Sequence, residues 1–151
     1  MEFIAADLAA LRTVSANADV LAALERDAGS DAGGRVGGPP WIVGGFVIDT
    51  HPDLVIRTSK LAIASGGSFR FAIGRPIVVA ADGTIVAIGI GVFDMAVRCA
   101  TPPGPATVGI AGRPRPRYGP DWWIVQAWDP AVPRADQLPR LVSLIGTLAG
   151  A

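Results

Sequence analysis

Apolar residues recur at helical spacing at both ends of the chain. Two stripes lie in the first 28 residues, which contain neither Gly nor Pro: Ile4, Leu8, Leu11 and Ser15, then Val20, Leu21, Leu24 and Ala28. They predict two short helices or one kinked helix that Gly29 ends. Near the C-terminus a further stripe predicts an amphipathic helix: Leu138, Leu141, Val142, Ile145, Leu148 and Ala149.

Between these ends, short apolar runs separated by turn residues indicate β-strands. Residues 41–49 are predicted as one strand, in which Gly44-Gly45 marks a bulge or a close approach of the backbone, and residues 122–128 as another. Residues 54–64 fit neither period cleanly, and a strand over 54–59 is slightly favoured for them.

A helix is the alternative for residues 54–64. Thr50 would cap it, Pro52 would lie in its first turn, and Gly66-Gly67 would end it.

The dipeptide Asp82-Gly83, between alternating apolar runs, predicts a two-residue β-hairpin turn. In that register the facing pairs are Val79 with Val86, Ile77 with Ile88, Pro76 with Gly89, and Gly74 with Gly91. One face of the hairpin is therefore bulky and the other nearly bare. A helix or a ligand can approach the backbone closely on the bare face.

This order of elements predicts an α+β fold. It comprises an N-terminal helix or helix pair, a curved antiparallel sheet of about five or six strands with helices on one face, and a C-terminal amphipathic helix. The length of 151 residues indicates a single domain, 1–151. Residues 29–40 and 101–121, rich in Gly and Pro, are predicted as irregular loops.

Composition narrows the classes of function. Thirteen basic and thirteen acidic residues give no net charge, which argues against nucleic acid or an anionic membrane as a partner. One Cys and one His exclude a disulfide framework and the usual metal sites within one chain. No nucleotide-binding motif is present, so no cofactor is expected. Without a signal peptide or an apolar run of roughly 20 residues, the expected location is cytoplasmic.

Asp49 and His51 are one candidate acid–base pair. In an extended chain Asp49, His51 and Asp53 point to one side, and a carboxylate there would orient the imidazole and raise its basicity. The alternative is a polar turn in which the same residues cap backbone amides.

Asp94 is the other catalytic candidate. It follows Ile88 and Ile90 on one strand face, so an extended chain directs its carboxylate toward the core, where desolvation would raise its pKa. Arg70 and Arg98 are its predicted partners. Alternatively, Asp94 caps a short helix over 95–100.

Four residues are the candidate ligand-binding set. Trp122, Gln126 and Trp128 share one face of the last predicted strand, and two indoles around an amide are typical of a small-molecule pocket wall. Phe71 is placed with them in a pocket between the sheet and the helices. Tryptophans also fill cores and interfaces, which is the alternative interpretation.

Three functions remain open. The first is a domain that binds an apolar or aromatic small molecule. The second is a homodimeric or partner-docking module, because the terminal helix has a second face of small residues: Ser143, Gly146, Thr147 and Gly150. The third is a cofactor-free isomerase, cyclase or hydrolase that uses Asp94 or the Asp49–His51 pair.

Overall fold

The fold is described by a computed structural model over residues 3–28, 40–99, 112–128 and 133–146. Within these ranges the α-helices are α1 (Leu8–Arg12), α2 (Ala18–Asp27), α3 (Pro52–Ser65) and α4 (Arg134–Ile145), with 3₁₀ turns at Ser15–Asn17 and Pro116–Tyr118. The N-terminal helix pair and the C-terminal helix are thus confirmed. Gly29, which was predicted to end the N-terminal helices, lies outside the described residues, as do Leu148 and Ala149.

A six-stranded antiparallel sheet forms the body of the protein. Its strands are β3 (Ser68–Ala72), β4 (Arg75–Val79), β5 (Ile85–Ile90), β6 (Asp94–Arg98), β7 (Arg113–Pro114) and β8 (Trp122–Gln126), in the spatial order β3-β4-β5-β6-β8-β7. Two further strands, β1 (Trp41–Val43) and β2 (Phe46–Ile48), form a separate hairpin. The predicted α+β class is confirmed. Most of the two predicted irregular loops lies outside the described residues.

The single strand predicted over 41–49 is wrong. Gly44 and Gly45 both have positive φ, which lets the chain reverse in a tight turn instead of forming a bulge. Trp41 then pairs with Ile48 across the β1–β2 hairpin.

The strand favoured over 54–59 is also wrong, because this segment is helix α3. His51 caps it in place of Thr50: its Nδ1 accepts from the Asp53 N–H at 3.1 Å. The helical period was obscured by Thr58 and Ser59, which are buried although polar. Thr58 satisfies its hydroxyl within the helix by donating to the Leu54 carbonyl at 2.7 Å.

The hairpin predicted at Asp82-Gly83 exists with a longer loop. Gly83 has φ +87°, and the Ala80 N–H donates to the Thr84 carbonyl, so three residues form the loop rather than two. Val79 therefore pairs with Ile85 and not with Val86. A bulge restores the predicted register beyond it, where Ile77 pairs with Ile88.

Helices cover both faces of the sheet, so the prediction of helices on one face is wrong. One apolar layer joins α3 and α4 to the sheet through residues such as Leu54, Leu141 and Val97. The other layer joins α1 and α2 to its opposite face through residues such as Leu24 and Ile88. Strands β4 and β5 are buried almost throughout, as central strands covered on both faces must be.

The bare hairpin face receives a helix, as the sequence suggested. A β-carbon on Gly89 would lie 2.8 Å from Thr58 Oγ1 and 2.9 Å from Pro76 Cγ. Glycine at this position therefore allows α3 to pack directly against the backbone of β5.

Candidate functional site

An apolar groove of about 200 Å³ lies beside strand β3. Three parts of the chain line it: the N-terminal segment, strand β2 and the β3–β4 turn. We call it the β3 groove, and its lining residues are Ala5, Ala6, Leu8, Phe46, Val47, Ile48, Phe71, Ala72, Ile73 and Gly74.

The N-terminal segment forms one wall because it pairs in parallel with β3. The Ala6 N–H donates to the Phe71 carbonyl at 2.8 Å, and the Phe71 N–H donates to the Ile4 carbonyl at 2.9 Å. Phenylalanine rings fill the space around this pairing. The ring of Phe71 lies 4.8 Å from that of Phe46 and 5.6 Å from that of Phe3, between centroids.

The β3–β4 turn carries a strained residue into the groove wall. Ile73 has φ +52° and Gly74 has φ +76°, a pair of left-handed residues typical of a type I′ turn. The first of these positions favours Asn, Asp or Gly. A β-branched residue there is an outlier that costs about 1–3 kcal/mol, and such strain is concentrated at functional sites.

Three consecutive residues hold the segment after β2 against the sheet. The Asp49 N–H donates to the Gly74 carbonyl, the Thr50 hydroxyl to the Gly89 carbonyl, and the His51 N–H to the Gly91 carbonyl, each at 2.8 Å. Asp49 is thereby fixed next to the β3 groove.

His51 acts as a helix cap in this segment. Its Nδ1 is occupied by the Asp53 N–H, and its ring packs edge-on against Trp41 at 5.4 Å between centroids. The Asp53 carboxylate is also close to the ring, with 3.9 Å between Asp53 Oδ2 and His51 Nδ1. No hydrogen bond or ion pair joins His51 to Asp49 within the described residues, so the structure does not assemble the expected pair.

Asp94 lies at the start of β6, directly opposite Gln126 on β8. Asp94 lies on the same face of the sheet as Ile88, as predicted. The apolar core does not extend as far as Asp94, however, and its side chain is 44% exposed. Its partner is Arg113, with 3.8 Å between Nη2 and Oδ2, rather than Arg70 or Arg98. The helix-cap alternative is wrong because residues 95–98 continue the strand.

Asp94, Arg113 and Gln126 line a separate recess of about 230 Å³. This recess brings together two of the sequence-predicted site residues, Asp94 and Gln126.

The two tryptophans of the predicted pocket wall lie on opposite faces of the sheet. Trp122 is buried on the α2 side, 5.7 Å from the Tyr118 ring. Trp128 follows the end of β8 and packs on the other side, under the Arg57 guanidinium at 5.5 Å. Only Phe71 of the predicted ligand-binding set lines the β3 groove.

Sequence analysis did not identify Phe46 and Ile73, which line the β3 groove together with Phe71. The Gly pair before Phe46 could have indicated a hairpin turn. Ile73 carried no signal, because β-branched residues are disfavoured at the conformation it adopts.

Cys99 lies in a third recess, of about 250 Å³, with Arg98 and Asp121. Burial raises the pKa of its thiol to about 11, so it is protonated at neutral pH. Burial also lowers the pKa of Arg98, whose guanidinium donates to the Ile85 and Ala16 carbonyls. Arg98 thus links β6 to β5 and to the Ser15–Asn17 turn, and Cys99 is part of the apolar core.

Among the described residues, no group of three His, Cys, Asp or Glu side chains is placed to hold a metal ion. In the same ranges, none of the helices has the length and apolar character needed to cross a membrane.

Comparison of the chain with protein-family models, with curated proteins and with solved structures finds no match.

Proposed function

We propose that this protein binds a small apolar molecule, such as a single aromatic ring, in the β3 groove. The observation that carries the proposal is Ile73, whose backbone is strained at positive φ and which lies in the apolar wall of the groove. A strained β-branched residue persists where surrounding structure or function maintains it.

The size of the groove sets the size of the ligand. An engineered apolar cavity of ~150 Å³ takes up benzene. The β3 groove, at about 200 Å³, fits one ring with a short substituent. Drug-sized ligands need pockets of roughly 300 Å³ or more.

The proposal is tested with toluene as the probe and methyl NMR as the readout. Ile48 and Ile73 line the groove, so their methyl resonances should shift on titration, whereas those of the exposed Ile63 should not. Shifts spread evenly over the surface isoleucines would contradict the proposal.

A pair of matched variants locates the bound ring. Ala6→Phe places a phenyl group in the groove and should abolish the toluene-induced shifts. Ala64→Phe adds the same group at an exposed position of α3 and should leave them intact. Equal binding by both variants would rule out the β3 groove.

One observation favours a partner-docking module as a second candidate. Ile42 and Val47 face each other across the β1–β2 hairpin and are 76% and 64% exposed. Adjacent exposed apolar side chains are typical of interaction surfaces. Sedimentation of the wild type and of Ile42→Ser tests it: association that the substitution abolishes would support docking through this face.

A further inference from the structure

The Asp49 carboxylate lies beside Gly74, one of the residues that line the β3 groove. Its Oδ2 lies 3.3 Å from the point where a β-carbon on Gly74 would stand, and Gly74 lines the groove. The residue before it, Ile48, lines the groove as well. Asp49 is not itself a lining residue, but its carboxylate is next to the part of the groove wall that Gly74 forms.

This carboxylate has no hydrogen-bond or ion-pair partner among the described residues, although Asp49 is half-buried. The cations of the same region are engaged elsewhere. Arg75 is buried and donates to the Tyr118 hydroxyl, and Arg70 donates to the Phe69 carbonyl. Burying part of a carboxylate without a partner is unfavourable, so the site is suited to a partner that arrives from outside.

The position of Asp49 is set before any ligand binds. Its own N–H is held by Gly74, and the next two residues are held by Gly89 and Gly91, each at 2.8 Å. These bonds fix the backbone of Asp49, so that only its side-chain torsions are ordered on binding, which favours a specific contact over a diffuse attraction.

We propose that the ligand is a small organic ammonium ion: an apolar ring or branched chain fills the β3 groove, and its ammonium group donates to the Asp49 carboxylate. The proposal rests on the proposed function, because it uses the same groove for the apolar part. Hydrogen bonds between an ammonium and a carboxylate are stronger than those between neutral groups. Asp49 would thus be the residue that selects a cation over a neutral ligand of equal shape.

The test compares three probes that differ at one substituent: toluene, benzyl alcohol and benzylamine. Each is titrated into the wild-type chain at neutral pH and low salt, with the Ile48 and Ile73 methyl resonances as the readout. Benzylamine should bind about tenfold more tightly than benzyl alcohol, since a charge-assisted bond replaces a neutral one.

Two variants test whether the preference for benzylamine over benzyl alcohol depends on the Asp49 carboxylate. Asp49→Asn keeps the shape but removes the charge, and should reduce benzylamine affinity about tenfold to that of benzyl alcohol while toluene binding is retained. Asp53→Asn removes an exposed carboxylate near the same helix terminus and should leave the preference intact.

The outcomes separate this inference from the proposed function. Equal binding of benzylamine and benzyl alcohol by the wild type would overturn the role of Asp49. Toluene binding in the same experiment would still support the groove as the binding site. A preference that survives in Asp49→Asn would also overturn the role of Asp49. If none of the three probes shifts the groove methyl resonances, the proposed function itself fails. The wild-type comparison needs no variant, so a poorly folded Asp49→Asn does not remove the test.

Discussion

The side chain of Asn17 binds the backbone N–H of Ile85, the first residue of β5. Its Oδ1 accepts from the Ile85 N–H at 2.9 Å, and its Nδ2 donates to the Gly83 carbonyl at 2.9 Å and to the Leu11 carbonyl at 3.0 Å. The side chain is completely buried. One amide thus joins the turn before α2 to the β4–β5 hairpin.

Replacing Asn17 with Ala should lower the free energy of unfolding by about 3 kcal/mol, because buried backbone groups on three elements lose their partner together. Urea denaturation followed by tryptophan fluorescence measures the change. Ser15→Ala, at an exposed position of the same 3₁₀ turn, is the control and should change the stability by less than about 0.5 kcal/mol. Similar midpoints for the two variants would refute this role of Asn17.

Gly83→Val should lower stability by about 1–3 kcal/mol, since a β-branched residue is strained at the φ of +87° that the hairpin loop requires. Its β-carbon would also lie 3.1 Å from Val14 Cγ2. Thr84→Val introduces the same side chain one residue later, where φ is not positive, and should cost much less. Thermal denaturation of both variants distinguishes these outcomes.

Ile73→Gly should be nearly neutral for stability, within about 1 kcal/mol, because relief of the left-handed strain offsets the lost packing. Ile90→Gly is the matched control. Ile90 is also half-buried and packs on the same layer, yet it gains no relief, so this change should cost about 2 kcal/mol or more. Toluene affinity should fall only in Ile73→Gly. A large loss of stability in that variant would show that the turn is not strained.

Asp94→Ala should change the free energy of unfolding by less than about 1 kcal/mol, since its ion pair with Arg113 is solvent-exposed and long at 3.8 Å. Chemical denaturation at low and high salt measures the effect, with Arg113→Ala as the companion variant. A loss of several kcal/mol in either variant would indicate that the pair is structural.

Cys99 should react with iodoacetamide very slowly at neutral pH and faster only as the pH approaches about 11. The urea-unfolded chain should react over a range centred near the ordinary value of 9.0. Because the folded state holds the thiol proton more tightly, this group stabilises the fold below that ordinary value, and the contribution is lost as the pH rises toward about 11. Rapid labelling of the folded protein at neutral pH would contradict the burial of Cys99.

Sequence patterns correctly predicted three elements that form from residues close together in the chain. The helix pair, the terminal helix and the Asp82-Gly83 hairpin each depend on residues close together in sequence, and all three are present. Helix α3 was only the alternative prediction, because Thr58 and Ser59 interrupt its apolar face, although their hydroxyls are satisfied within the helix. The near-continuous apolar runs of β4 and β5 are typical of strands covered on both faces, whereas the sequence-based prediction placed helices on one face only.

The candidate site was the hardest part to predict. Phe71 was identified, whereas its neighbours Ala6 and Phe46 come from distant segments whose contact depends on tertiary packing. Trp122 and Trp128 were placed on one face by the period of an extended strand, but β8 ends at Gln126, and the period carries no information beyond that residue.

The parallel pairing of the N-terminal segment with β3 has a consequence for how the protein folds. Strands β3 to β6 follow one another through short turns, whereas the Ala5–Phe71 bridge closes a loop that includes both the β1–β2 hairpin and α3. Closing so long a loop costs chain entropy before its contacts can form. We therefore expect this segment to join the sheet last and to detach first, in an opening that leaves the successive hairpins intact. Access to the interior beside Phe71 then depends on how fast the segment around Ala5 detaches from β3.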